Sequence, residues 1–405
     1  MPFEWVVAFR FLREGRVQTA LILAGVGVGV GVVVFLSALI SGLQDSLIDK
    51  TLGTQPHVVV RVPDDVVRPQ LPEGDAVVSR RIQPPPQRIR QILDGAQALS
   101  FVERQPHVVA AAPVVSGAAL ALRGTASSSI SLRGVEAESY RQIIDFGPRI
   151  VAGEFRVTGS DAVIGVELAK KLGISGGDKL RISTPQGREE LFLVAGILDV
   201  GNKDLNERWV FVSIRNAQTL LDLSGGISSI EVKVDRIFDA ESVAGSISSG
   251  TGLEAVSWMR LNTQLLVGLR SQNASSHMIQ FFVAVAVALG IASVLVVSVV
   301  QKSREIGILR AMGTPSHLVT RIFLLQGAVL GLTGSAIGVA IGSALAFFFS
   351  SLAKNPDGSA TFPVALTLGL IARTAAGATV TGLLAAVAPA RRASRLDPAE
   401  VIRYG

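Results

Sequence analysis

From Met278 to Val300 the chain runs for 23 residues without a charge. An apolar stretch of that length crosses a bilayer, and few other folds would use it. Its flanks matter as much as the run itself. Upstream, SWMRLNTQLLVGLRSQNASS carries Leu261, Leu265, Leu266 and Leu269 at helical spacing. Downstream, Lys302, Arg304, Glu305 and Arg310 alternate with Ile306, Ile308, Leu309 and Met312. The pattern predicts one continuous helix from Ser257 to Gly313 that joins something outside the membrane to something on the cytoplasmic face.

Three further stretches frame this one. Val17–Leu43 is uncharged, too long for the core of a signal peptide, and not followed by an A-x-A site, so it reads as a retained anchor. A third span is expected over 320–351 and a fourth over 364–388, joined by the short polar AKNPDGSATF. Ahead of the first span, Phe3, Trp5, Val6, Phe9 and Leu12 against Glu4, Arg10, Arg13 and Arg16 make an amphipathic helix suited to the interface. Arginines and lysines flank the N-terminus, the 301–319 segment and the tail, whereas the 352–363 link has only Lys354 and Asp357. The positive-inside rule then sets both termini in the cytoplasm and the large 44–257 region outside.

That large region is too polar for lipid. Between Gln44 and Ser276 there are 25 basic and 26 acidic residues, a balance of −1, which leaves +7 of the chain's net +6 on the membrane-flanking segments. The basicity therefore reports topology and gives no reason to expect nucleic acid. Cysteine is absent, so an exported domain must stand on its own core. The residues suggest an α+β body. HVVVRV (57–62) reads as a strand, Pro84–Pro86 as a break before a helix over 87–103, and 108–135 as several short glycine-punctuated strands. DAVIGVELAKKL (161–172) reads as strand then helix, and 179–184 with 190–198 as a hairpin about PQG. Strands at 209–212, 227–234 and 253–257 alternate with helices at 214–223 and 238–248. A division into two lobes is expected near 147–159.

The fold class is thus a membrane protein of four transmembrane helices with a large α+β periplasmic domain between helices one and two. In order, the expected parts are an interfacial helix (1–16), span one (17–43), the outer domain (44–257), a stalk helix (258–277) and span two (278–300). A coupling segment (301–319), span three (320–351), an outer link (352–363), span four (364–388) and a cytoplasmic tail (389–405) follow.

Few residues speak for chemistry. GISGGDKL (173–180) lacks phosphate-loop spacing and reads as a turn. His57, His107, His277 and His317 share no metal-ligand spacing, and no nucleophile–base set assembles. Apart from Arg321 at the very start of the third span, Arg373 is the one ionisable residue inside the spans; it marks either a functional position or an arginine that snorkels to the interface. Gly25, Gly27, Gly29 and Gly31 permit close helix approach, either within the chain or at a dimer seam. The apolar residues of 301–313 either pack on the chain's own helices or dock into a groove on a cytoplasmic partner.

EIGILRAMG (305–313) with its preceding span, the terminal PARRASRLDPAEVIRYG and SWMRLN resemble the MacB/LolC/LolE/FtsX superfamily of ABC permeases. So does the order of one span, a large outer domain and three spans, which extends the likeness over nearly the whole chain. SWMRLNTQLL is most similar to the lipoprotein-releasing permeases. The resemblance implies a non-catalytic permease that pairs with a second copy or a paralogue and docks on a separate ABC ATPase, the subunit that binds ATP and Mg. It assigns coupling to Arg304, Glu305, Ile306, Gly307, Ile308, Leu309, Arg310, Met312 and Gly313, and the stalk to Trp258, Leu261, Leu265 and Leu269. It implies mechanotransmission without a channel, with lipoprotein or another amphipathic cargo handled in the outer leaflet of the inner membrane. An adaptor-linked MacB-like efflux pump and an FtsX-like activator of a cell-wall hydrolase are the alternatives, the latter disfavoured by the size of the outer domain. A periplasmic adaptor or carrier and membrane lipid complete the partners it implies. The carrier-recruiting member of the family bears a long hook between two strands; here STPQGREE (183–190) is a tight turn. That fits the hookless partner of a heterodimer, or a homodimer with other cargo.

Overall fold

The computed structural model describes residues 3–64, 89–352 and 364–396. The expected break at Pro84–Pro86, the AKNPDGSATF link and the tail beyond Leu396 lie outside the described residues. The chain forms two compact units, Met1–Leu47 with Val267–Gly405, and Ile48–Leu266.

In chain order the elements are α1 (Phe3–Glu14), α2 (Arg16–Leu52), β1 (Val58–Arg61), α3 (Gly95–Glu103), β2 (Val108–Arg123), β3 (Ala126–Val135), α4 (Ala137–Ile143), β4 (Ile150–Gly153), β5 (Asp161–Gly165), α5 (Val166–Leu172), β6 (Lys179–Ser183) and β7 (Glu189–Leu198). Then come α6 (Lys203–Arg208), β8 (Trp209–Ser213), α7 (Ile214–Leu221), β9 (Ser229–Val234), α8 (Ala240–Thr251), β10 (Glu254–Ser257), α9 (Trp258–Leu261), α10 (Thr263–Gln301), α11 (Ser303–Ala311), α12 (Ser316–Leu352) and α13 (Leu368–Ser394).

In the unit of residues 48–266, ten strands form one mixed sheet in the order β10-β1-β9-β2-β3-β8-β5-β7-β4, with β6 bridging β2 and β7. Because β6 pairs with both, the strands β2, β3, β8, β5, β7 and β6 close on themselves. Period-two alternation fills the ring. Ala121, Leu132, Val210, Ile164, Phe192 and Ile182 are buried in one cluster. The intervening residues Val163 and Phe211 point the other way, into a second cluster around Tyr140, Phe146 and Phe155.

Three sequence expectations fail here. Residues 108–135 are two long strands joined at Gly124 (φ +58°), not several short ones. The glycines read as punctuation sit mid-strand: a Cβ on Gly117 would lie 2.6 Å from a Leu221 methyl, and one on Gly134 would collide with Ala217. Glycine there lets α7 lie against the sheet. Nor do 147–159 divide two lobes. β4 joins the sheet through β7, and Phe155 stacks on Phe146 at 4.0 Å. The helix expected over 87–103 is shorter, starting at Gly95, while Ile92 bridges to Ile227. α4, β4 and α6 went unforeseen.

The other unit holds four helices long and apolar enough to cross a membrane, α2, α10, α12 and α13. In lipid every backbone polar group must be satisfied inside the helix, so these segments have no alternative conformation. Small residues set their packing. Val26, Val30 and Val34 meet Gly334, Gly338 and Gly342 in steps of four, so α2 and α12 run parallel. A Cβ on Gly338 would lie 2.6 Å from Val30 Cβ and 2.7 Å from the Gly27 carbonyl oxygen. Gly327 faces Gly382 and Gly331 faces Ala378, so α12 and α13 run antiparallel. α2 and α10 are antiparallel too, tied by Gln18–Gln301, Ser37–Gln280 and Gln44–Asn273 hydrogen bonds of 3.1, 3.1 and 2.8 Å. Phe281, Phe282, Leu289, Phe347, Phe348 and Leu384 remain exposed, as lipid-facing residues must.

Candidate functional site

The segment that follows α10 is the part of the membrane unit whose chemistry is least explained by packing. The single helix expected from Ser257 to Gly313 is delivered as α9, α10 and α11, with turns at Asn262 and Lys302. Backbone hydrogen bonds bridge both turns: Asn262 N donates to Trp258 O (2.9 Å) and Leu266 N to Asn262 O (3.1 Å). Lys302 N likewise donates to Ser298 O and Ile306 N to Lys302 O, each at 2.9 Å. The ladder is bent rather than cut.

Lys302 sits at the second bend for an electrostatic reason. Its ammonium pairs with Glu14 of α1 and, at 2.7 Å, with Glu305, while Arg10 pairs with Glu14 at 2.9 Å. The hydrogen bond to Glu14, then that to Glu305, holds the Lys302 ammonium above its ordinary pKa. Glu14 is held below the usual carboxylate range by Lys302 and then Arg10. α1 is thus ion-paired to the residue that precedes α11. At its other end Arg310 donates to the Leu396 carbonyl just past α13.

Between these ties α11 has two faces. Ile306 (1% exposed) and Gly307 are buried in the chain's own bundle. Arg304, Ile308, Ala311 and Met312 are exposed, Ile308 by 47% and Met312 by 79%. Their spacing of four, three and one puts them on a single stripe. Gly313 (φ +95°) ends the helix: its N–H bonds to Arg310 O at 3.0 Å and that of Thr314 to Leu309 O at 3.1 Å, a Schellman cap. Of the residues singled out in this segment, Arg304, Ile308 and Met312 form the free stripe and Glu305 is committed to Lys302. Leu309 and Arg310 lie half-buried between the faces. Of the two alternatives in the sequence, packing on the chain's own bundle accounts for Ile306 and Gly307 and leaves Ile308 and Met312 uncovered.

The other singled-out residues are placed as follows. Trp258 is fully buried in the core of residues 48–266 and donates its indole N–H to Ile237 O at 2.7 Å. Leu261 is exposed, Leu265 half-buried and Leu269 buried. Of the glycines, Gly27 and Gly31 face α12, Gly29 faces Val283 and Val287 of α10, and Gly25 meets nothing within 4 Å. Successive alternate residues on a helix point about 200° apart, so the four glycines cannot share one face. Among the described residues no group of three His, Asp or Glu is placed to hold a metal ion.

Residues 19–249 match the family model of the MacB-like periplasmic core domain, and residues 278–398 that of the FtsX-like permease C-terminal. The chain belongs to the MacB-like periplasmic core domain family. Its relatives include the lipoprotein-releasing system transmembrane protein LolC of Neisseria meningitidis serogroup B, 24% identical over 95% of this chain and 94% of its own length. LolE of Haemophilus influenzae is 24% identical over 74% of this chain and 79% of its own. The macrolide export ATP-binding/permease protein MacB of Hyphomonas neptunium is 27% identical over 97% of this chain but 59% of its own length. The chain is accordingly a multi-pass membrane protein and a permease of the ABC-transporter type.

Proposed function

We propose that this chain is the mechanotransmitting permease of an ABC exporter in a bacterial inner membrane, with both termini cytoplasmic and the α+β unit periplasmic. ATP hydrolysis belongs to a separate ATPase subunit, and the permease works as a pair, with itself or with a paralogue. Its cargo is a lipoprotein or a similar amphipathic molecule taken from the outer leaflet. The observation that carries this reading is the α11 stripe. Two large apolar side chains and an arginine stand exposed on a short helix whose opposite face is packed and ion-paired to its own bundle. Such a surface suits a groove on a cytoplasmic partner, with Ile308 and Met312 as anchors. Because α11 hangs from the end of α10, force applied to the stripe acts on a helix that extends to Thr263.

The extent of the match to LolC, over nearly both full lengths, favours lipoprotein release as the cargo class. The MacB match over 97% of this chain favours adaptor-linked efflux as the second reading.

The test is ATPase stimulation in proteoliposomes that contain the permease and its co-purified ATPase. Ile308→Asp with Met312→Glu should abolish stimulation while the chain still inserts. Gly313→Pro, which cannot adopt a positive φ, should do the same by unravelling the cap. Undiminished stimulation in both would contradict the reading.

A further inference from the structure

A cavity of about 550 Å³ opens among α2, α10 and α13, wholly within the membrane unit. Its lining is graded. At one end stand Ser37, Ser41, Asn273, His277, Gln280 and Arg373; at the other Val30, Val33, Val283, Val287 and Ala378. α2 runs opposite to α10 and α13, so polar residues late in α2 lie level with polar residues early in the other two. All three helices therefore carry their polar lining towards the same end, where Ile40 and Leu370 are the apolar members. Thr381, at the apolar end, has its hydroxyl committed to Gly377 O at 2.8 Å and adds no free polarity. The polar end is the one from which α2 and α10 lead into residues 48–266.

Charge in the cavity is unbalanced. Among the described residues Arg373 lines it and no Asp or Glu does. Its one hydrogen bond among the described residues runs from Nε to Gly369 O at 3.2 Å, which leaves the two terminal nitrogens of the guanidinium without a partner there. It stands five residues into α13, about 7 Å along the axis from the helix start. A charge at that depth is costly unless it is solvated or paired. The start of α13 is fixed beside α2, since Ala365 N donates to Ala38 O at 3.1 Å, and Ser37 is held by Gln280. These ties position the guanidinium beside a ring of neutral donors.

We infer that this cavity is a binding site for an anionic glycerophospholipid, its phosphate held by Arg373 with His277, and an acyl chain lying between Val30, Val33, Val283 and Val287. A guanidinium fork matches a phosphate in two parallel hydrogen bonds. The polar-to-apolar gradient matches the order of head and tail in such a lipid. A zwitterionic lipid would bring its own cation against Arg373 and gain less. The site does not depend on the cargo or on the ATPase, so it stands or falls apart from the function proposed above.

The experiment is native mass spectrometry of the full chain in detergent, equilibrated with equal amounts of phosphatidylglycerol and phosphatidylcholine of the same acyl chains. The natural chain should retain one phosphatidylglycerol in roughly tenfold preference, the equivalent of about 1.4 kcal/mol. Arg373→Gln should bring the two lipids to parity, and Arg373→Lys should keep part of the preference. Gly377→Leu keeps the arginine but fills the cavity, because nothing lies within 4 Å of a Cβ there; it should lose the bound lipid. Equal retention of both lipids by the natural chain would overturn the assignment. So would an unchanged preference in Arg373→Gln, or a lipid retained in full by Gly377→Leu.

Discussion

The two units solve the same packing problem with different residues. The α+β unit buries bulky side chains, among them Phe192, Phe211, Leu132 and Ile164, and admits an ionic group to its interior. There Arg133 pairs with Glu231 and stacks 4.9 Å over the Trp209 ring, while Tyr140 donates to Glu231 at 2.9 Å and accepts from Arg133 at 2.9 Å. Burial pushes the Tyr140 hydroxyl above its ordinary pKa. Glu231 does the same for the Arg133 guanidinium against the cost of desolvation. The membrane unit buries large side chains too, Phe11, Phe323, Ile291 and Leu295 among them, but where α12 crosses α2 and α13 it relies on glycine, alanine and valine. Water drives apolar groups together in the first unit. In lipid that force is absent, and close backbone approach replaces it. The same substitution should therefore have different consequences in the two.

The largest effect is expected in the ionic group. Glu231→Ala leaves Arg133 buried without its carboxylate and should cost about 3–5 kcal/mol. Chemical unfolding of the full chain followed by Trp209 fluorescence reads it, and a loss under 1 kcal/mol would show the group to be solvated. Next comes the helix crossing. Gly338→Val forces a side chain against Val30 and the Gly27 carbonyl and should cost about 1–3 kcal/mol or more. Gly25→Val meets nothing in its own chain and should leave the fold of the monomer alone. The pair is read as thermal aggregation onset in detergent. A Gly25→Val chain that stays folded but no longer pairs would identify that face of α2 as the seam between copies.

The smallest effect is a pH dependence. Burial lowers the pKa of His57, and outweighs a hydrogen bond to the Val234 backbone that raises it; Nδ1 lies 3.1 Å from both the nitrogen and the carbonyl oxygen of Val234. Below a pH of about 6.5 the unfolded chain takes up the proton more readily than the folded one. The stability His57 contributes is thus complete above that pH and is lost as pH falls towards the depressed folded value. Unfolding midpoints between pH 7.5 and 5 should fall for the natural chain and flatten in His57→Gln. Parallel curves would remove His57 from the account.

What could be read from the residues followed the local periodicities. Four long apolar spans, the strand–helix alternation from Asp161 onward and the PQG hairpin are all patterns within one segment. What escaped depends on partners far away in sequence. Gly117 and Gly134 resemble turns until α7 is seen to lie on them. Phe155 resembles a linker residue until it stacks on Phe146. α11 was legible as a motif, but the division of its faces was not, because Lys302 draws its partner from Glu14 at the other end of the chain. Arg373 stood out as an intramembrane charge, whereas its cavity needs residues near 37, 280 and 373 brought together.

The central claim is that the exposed stripe of α11 couples a separate ATPase to this permease. Native mass spectrometry of the complex, purified from its own membranes through a tag on this chain, tests it most directly. The natural chain should appear with a second permease chain and two ATPase chains, and Ile308→Asp with Met312→Glu should appear without the ATPase but with the permease pair intact. An ATPase retained in full by the double variant, or absent from the natural complex, would contradict the claim.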